Sequence, residues 1–411
     1  MRVARPWHWS LLNLPFGATG GFVAVTLGYI ASQAGMSDAV VGGLVAMNLL
    51  PHTWKFCWAP VADITLTRKT WYVASNAVSC LTVLGMGFVP FEEGSLGLLQ
   101  ALIFFNSVAI SFLGMAVEGL MASATPREEI GRAAGWFQAG NLGGSGLGGG
   151  AALLVAEHVS VRASFVSLAV ILAGCTLALR LVPEAPRVMI SGPLGRKLVT
   201  AIGEVLRDLW RMLASRRGII ALILCFVPLG AGAAQGLFSA IAGRWHASGN
   251  LVAITTGVLG GLVAAAGCLA GGWLSDRMRR QVAYALSGVV LAVIAALMAL
   301  SPQHPLAYAV FTLLYSFGSG MVYGCFTGFV LEVIGGGAIA TKYNALASLS
   351  NIPIWYMTLV AGWASERHGP VNMLFLDAAA GLAGLAVLVA AIAIVRPGQT
   401  PRRPERGLSE A

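Results

Sequence analysis

The chain has 411 residues, 57% of them hydrophobic and only 10% charged, with a formal net charge of +9 and a mean hydropathy of +0.78. Soluble domains carry about 25% charged residues, so a water-soluble globule is excluded: it would expose too much apolar surface to stay dispersed. The basic excess lies in short gaps between apolar blocks, which is a membrane topology signal and not a nucleic-acid-binding face.

Blocks of roughly 20 apolar residues, the length that crosses a hydrocarbon core, recur along the chain. They predict spans at Trp9–Gln33, Ala39–Val61, Trp71–Pro90, Leu96–Ala122, Ala133–Ala156 and Ala163–Val182. The first is a full span without a cleavage site behind it, so no cleavable signal peptide is expected. Pro183, Pro186 and Pro193 then end the sixth helix. Beyond them Leu194, Leu198, Ile202, Val205, Leu209 and Leu213 recur at helical spacing, while Arg196, Lys197, Arg207 and Arg211 take other faces. That is the pattern of an amphipathic helix lying on a membrane surface. Six more spans follow at Gly218–Ile241, Val252–Ser275, Val282–Leu300, Leu306–Val333, Tyr343–Ala364 and Val371–Val395. The expected fold is an all-α membrane protein of about twelve transmembrane helices. Its parts are an N-terminal six-helix half (1–182), a cytoplasmic linker (183–217), a C-terminal six-helix half (218–395) and a disordered tail (396–411).

The gaps alternate in charge. One set holds Arg2, Arg5, Arg68, Lys69, Arg127, Arg132, the Arg-rich linker, Arg277, Arg279, Arg280, Lys342 and the Arg-rich tail; the other holds mainly Asp38, Glu92, Glu93, Glu157 and Glu366. The positive-inside rule therefore puts both termini and the linker in the cytoplasm, and an even number of spans agrees. The six cysteines lie inside apolar stretches without paired spacing, as small buried residues rather than disulfides or metal ligands.

An internal repeat organises the rest. Asp63 and Asp276 follow the second and eighth spans and lie 213 positions apart; Glu118 and Glu332 end the fourth and tenth spans and lie 214 apart. A cation follows each glutamate, Arg132 and Lys342. Two six-helix halves in parallel repeat describe the major facilitator architecture, with the solute site between them near the midplane. Gly271-Gly272-Trp273-Leu274-Ser275-Asp276-Arg277 followed by Arg279-Arg280 resembles the major facilitator signature between helices two and three, and Ala62-Asp63 with Arg68-Lys69 its degenerate first-half copy. Asp63, Arg68, Glu118, Arg132, Asp276, Arg277, Arg280, Glu332 and Lys342 are thus candidate gating residues. Acids at helix ends, opposed to cations of neighbouring helices, would hold one side shut in one state and release it in the other. For the arginines alone, ordinary topology charge is an equal reading. The glutamates could equally be helix-end acids already facing water.

The second span carries the candidate solute site. Asn48, His52 and Lys55 follow i, i+4, i+7 spacing and share one face beside Pro51. Lys55 would meet a carboxylate or phosphate of the solute, or else extend to the cytoplasmic surface. Gln138, Asn141, Tyr323 and Asn351 are further intramembrane polar groups that need partners inside the bundle. Asp377, about two turns inside the last helix, is expected at a helix-interface hydrogen bond. Gly140, Gly144 and Gly148 form a small-residue face that lets helices approach closely.

Leu50 to Asp63, reading Leu-Pro-x-x-x-Lys-Phe-x-Trp-Ala-Pro-x-x-Asp, is similar to the corresponding helix of AmpG-type muropeptide permeases. Glu118 through Pro126 to Arg132, and Ala340-Thr341-Lys342-Tyr343-Asn344 through Gly362-Trp363 and His368-Gly369, also resemble that branch. It is the peptide/acetyl-CoA transporter branch of the major facilitators, with related siderophore permeases. The resemblance implies uptake of a muropeptide-, acyl-CoA- or siderophore-like solute through a bacterial inner membrane. The Gly-Arg-Arg-rich loop of muropeptide permeases is here reduced to Thr67-Arg68-Lys69, so muropeptide itself is not implied. No nucleotide-binding loop, metal motif or nucleophile elbow is present, so neither an enzyme nor a cofactor is expected, and the driving force is an ion gradient, most simply protons. A monomer in the bilayer is expected. An efflux permease is the alternative, and a membrane-embedded acyltransferase the remoter one.

Overall fold

The computed structural model describes residues 4–58, 61–62, 65–125, 130–184, 194–213, 216–334 and 345–395, and among these every regular element is helical. α1 runs His8–Gln33 through a wide π-helical turn at Phe22–Leu27. α2 (Asp38–Leu49) tightens into 3-10 turns at Leu50–Thr53 and Lys55–Cys57. α3 (Arg68–Met86) and α4 (Leu96–Ala124) follow. α5 starts as Ile130–Gly146 and passes through a π turn at Leu147–Ala151 into Ala152–His158; α6 is Val161–Thr176. α7 (Leu194–Leu213) occupies the linker, and α8 (Arg216–Phe226) opens the second half. α9 comprises Gly249–Val252, a π turn at Ala253–Leu259 and Gly260–Arg277. α10 (Arg280–Leu300), α11 (Pro305–Ile334), α12 (Asn351–His368) and α13 (Pro370–Val395) complete the chain.

Among the described residues, eight helices are long and apolar enough to cross a membrane: α1, α4, α6 and α9 to α13. The other expected spans fall short for reasons in their sequences. α2 tightens at Leu50-Pro51, where the ring removes a backbone donor. α3 spends helix surface on Ser75, Asn76 and Ser79, all buried. Asn76 Nδ2 donates to Leu172 O (2.6 Å) and Thr176 Oγ1 (2.7 Å) of the α6 segment, and Ser79 Oγ donates to Asn106 Oδ1 of α4 (2.7 Å). The Asn76 amide nitrogen and the Ser79 hydroxyl thereby find partners on neighbouring helices, as a bilayer favours. α5 is diluted by glycine. The seventh span, expected as one helix, is broken: after α8 the chain turns at Pro228, takes left-handed φ at Gly230 (+69°) and Gly232 (+65°), and resumes in short turns at Ala233–Leu237 and Phe238–Ile241.

Close packing explains the glycines. Those at 140, 144 and 148 of α5 lie against the backbone of Ser10, Leu14 and Ala18 of α1, where any added methyl would overlap main-chain atoms. Across the halves, Gly150 of α5 meets Gly257 of α9, and Gly42 of α2 meets Gly362 of α12. Outside, Leu81, Phe88, Val170, Leu269 and Ile394 are exposed, an apolar belt for lipid acyl chains.

The antiparallel order puts His8 and Val395 at one end of the bundle and the turns at 34–37, 158–160, 246–248 and 369 at the other. The distal end is tied across the halves. Ser37 Oγ donates to Glu366 Oε2 (2.8 Å), Ser365 Oγ to Asp38 Oδ2 (2.5 Å), and Ser32 Oγ to Ala240 O (2.8 Å). His158 Nε2 and Asn250 Oδ1 lie 2.9 Å apart.

Candidate functional site

A cavity of about 320 Å³ lies between the halves, where α2 tightens and the seventh span is broken. Its size is at the lower end for small-molecule sites. Asn48, His52 and Lys55 line it from α2 and its 3-10 continuation, Asn141 from α5, Tyr323 from α11 and Asn351 from α12. Ala231, Gly232, Ala233, Gln235 and Gly236 of the broken span form the facing wall. Tyr323 is 51% exposed although it sits far inside α11, which means that its side chain borders open space in the bundle.

The α2 wall is tightly specified. Ser107 Oγ of α4 donates to Asn48 O and lies 3.2 Å from His52 Nε2. The His52 ring packs on Phe16, centroids 5.1 Å apart, and its Nδ1 is buried without a hydrogen-bond partner. Asn351 Nδ2 donates to Ala347 O (2.9 Å) and reaches His52 O (3.4 Å), joining the halves beside the cavity. Lys55 Nζ lies 3.8 Å from Glu118 Oε1 of α4, with the two side chains 14% and 29% exposed. Arg68 of α3 rests on Gly119, where a Cβ would come within 2.7 Å of its Nε. Two cations therefore converge on the Glu118 segment.

Among the described residues Glu118 is paired with Lys55, which α2 brings to it across the helix interface. Lys55 is not a bare cation awaiting solute but one already held by a carboxylate. Gln138 does not join the cavity lining and is exposed. It sits two positions from Gly140, roughly 200° round the helix, and the Gly140 face is the one turned to α1. Arg277 stacks on Trp273 of its own helix, 3.8 Å from the ring centroid, a cation–π contact at the end of α9. Arg280 begins α10. Asp63 and Lys342 lie outside the described residues, as do the side chains of Arg132, Asp276 and Glu332.

The lining also includes Phe16, Thr19, Gln235, Thr256, Ser319 and Thr358. Gln235 comes from the broken seventh span. The hydroxyls gave no signal because a Thr or Ser can bond to its own helix, as Thr358 does to Ile354 O (2.7 Å). Among the described residues, no cluster of His, Cys, Asp or Glu could hold a metal ion.

Comparison with known proteins agrees with this architecture. Residues 10–352 match the family model of the Major Facilitator Superfamily. Over 401 residues the chain is 25% identical to the anhydromuropeptide permease of Escherichia coli strain K12, covering 94% of this chain and 79% of that one. Among solved structures it is similar to a D-xylose-proton symporter (TM-score 0.74, 14% identity, 94% and 96% of the two chains covered). It is also similar to a POT family transporter in complex with 5-aminolevulinic acid (TM-score 0.74, 11% identity, 95% and 96% covered). The chain belongs to the Major Facilitator Superfamily: it is an integral membrane permease and not an enzyme.

Proposed function

We propose that the protein is a proton-coupled secondary transporter that takes up an anionic organic solute by alternating access. It would work as a monomer in a bacterial inner membrane, with both termini cytoplasmic. The observation that carries this reading is Lys55 on the wall of a cavity between the halves, paired there with Glu118 of α4. A cation there is costly unless paired, and a solute carboxylate or phosphate can replace Glu118 as its partner. A proton on Glu118 favours the exchange, because it removes the competing charge and leaves Lys55 to the solute. Solute and proton then load together. The distal ties among Ser37, Asp38, Ser365 and Glu366 support an inward-facing state, since with cytoplasmic termini the sealed end is the outer one.

The solute class follows the E. coli relative, named an anhydromuropeptide permease, with acyl-CoA- and siderophore-like anions in the same chemical range. The test is uptake into proteoliposomes of labelled anhydromuropeptide, acyl-CoA and ferric siderophore under an imposed pH gradient. Accumulation of one of them, lost in Lys55→Ala and partly kept in Lys55→Arg, is expected. Uptake indifferent to the pH gradient refutes proton coupling. Unchanged affinity in Lys55→Ala refutes the anion site, and transport in the outward direction alone replaces uptake by efflux.

A further inference from the structure

A second intramembrane acid lies behind the cavity. Asp377 sits about two turns into α13 from Pro370, half-buried, on a helix that packs against α8, α10, α12 and the broken seventh span. Tyr315 Oη of α11 donates to Asp377 Oδ2 at 2.6 Å. Tyr315 is fully buried, and its ring meets Phe238 edge-on with centroids 5.0 Å apart. The helix of Asp377 also packs on the Ala233–Leu237 turn of the broken span.

Ala234 belongs to the first turn after the break, and its neighbours Ala231, Gly232, Ala233, Gln235 and Gly236 all line the cavity. The segment thus has the cavity in front and Asp377 behind. Its other supports are on the same helices: Gln235 Nε2 donates to Ser316 Oγ (3.2 Å), next to Tyr315, and Tyr284 Oη of α10 donates to Leu229 O (2.9 Å). Leu229 itself packs on Gly384, two turns from Asp377 along α13. With left-handed glycines at 230 and 232, the break can change course without a side-chain penalty.

We propose that Asp377 is a proton-binding site whose occupancy sets the position of the broken seventh span. This rests on the transport reading above and adds a coupling acid distinct from the Lys55–Glu118 pair. The ionised carboxylate holds Tyr315 by a charge-assisted hydrogen bond, and the Tyr315 ring braces Phe238 of the broken span. The neutral acid holds the tyrosine more weakly, since charge-assisted bonds are roughly twice as strong as neutral ones. A proton taken up while the distal end is open loosens the Ala231–Gly236 wall; its loss re-forms the arrangement seen here. Other titratable groups on the packed elements have their own partners: Tyr284 bonds Leu229 O, Tyr308 bonds Phe238 O and Thr256, Tyr356 bonds Phe226 O, and Cys225 bonds Leu346 O. Among the described residues, Tyr315 is the titratable side chain in direct hydrogen-bond contact with Asp377.

The proton itself is the probe, so no solute is needed. Purified Glu118→Gln protein, which lacks the acid paired with Lys55, is titrated while infrared difference spectra follow buried carboxylic acid and amide hydrogen exchange follows residues 231–241. The expected result is loss of an acid band as pH rises, with protection of 231–241 increasing several-fold in step after correction for intrinsic exchange. Adding Asp377→Asn should abolish the band and keep the segment at its low-pH exchange rate throughout. Tyr315→Phe keeps the acid but removes a donor to its ionised form, so it should move the transition up by about one to two pH units. A band and a pH-dependent segment that persist in Asp377→Asn overturn the proposal, as does a Tyr315→Phe transition that does not move. Gradient-driven uptake that is intact in Asp377→Asn also overturns it while leaving the transport reading standing; absence of such uptake in the unmodified protein refutes the transport reading instead.

Discussion

The Lys55–Glu118 pair can be weighed without knowing the solute. At 3.8 Å the attraction is about 4 kcal/mol at the effective dielectric of a protein surface and about 1 kcal/mol in bulk water. The side chains are 14% and 29% exposed, so the pair lies between these limits, and desolvation offsets part of the gain. A coupling of about 2 kcal/mol is expected. The assay is a double-mutant cycle of Lys55→Ala, Glu118→Ala and both together, read as unfolding free energy in mixed detergent micelles. Each single change leaves a charge without its partner, so the double variant should be less destabilised than the sum by that amount. Strict additivity, within about 0.5 kcal/mol, would mean that the charges do not feel one another and would remove the basis for an exchange between Glu118 and a solute anion.

Gly148→Ala should lower the thermal midpoint and the folded yield, because a methyl there overlaps the carbonyl of Ala18; Gly143→Ala, with open space around it, should be neutral or slightly stabilising. Cysteines at positions 37 and 366 should cross-link readily in the distal-sealed state and stop transport until reduced, measured by gel shift and uptake; failure to cross-link would contradict the seal. A reporter fused after Arg396 should behave as cytoplasmic. An external signal would reverse the membrane orientation.

What the sequence disclosed and what it hid divide along physical lines. Span order was legible because bilayer thickness imposes a length on apolar blocks. The polar group Asn48, His52 and Lys55 was legible as an α-helical stripe. The chain there is in fact partly 3-10, and the three reach one cavity through that tighter winding. The partner of Glu118 was not legible: sequence offered the nearest cations, whereas Lys55 arrives from another helix. Asp377 was placed at an interfacial hydrogen bond, but nothing local names Tyr315, 62 positions earlier, as its donor. The break in the seventh span had a signal in Pro228, Gly230 and Gly232. It was outweighed by the apolar run around it, because hydropathy measures burial and is blind to backbone direction.

The glycine-on-glycine meeting of α5 and α9 has a mechanical consequence. Gly257 stands 8 residues from the distal start of α9 at Gly249 and 20 from its end at Arg277. These are arms of ~12 Å and ~30 Å at 1.5 Å per residue. If the halves rock about this contact, the same tilt moves the terminal rim about 2.5 times as far as the distal rim. The molecule is then an unequal lever, with a wide mouth on the side of its termini and a narrow one opposite.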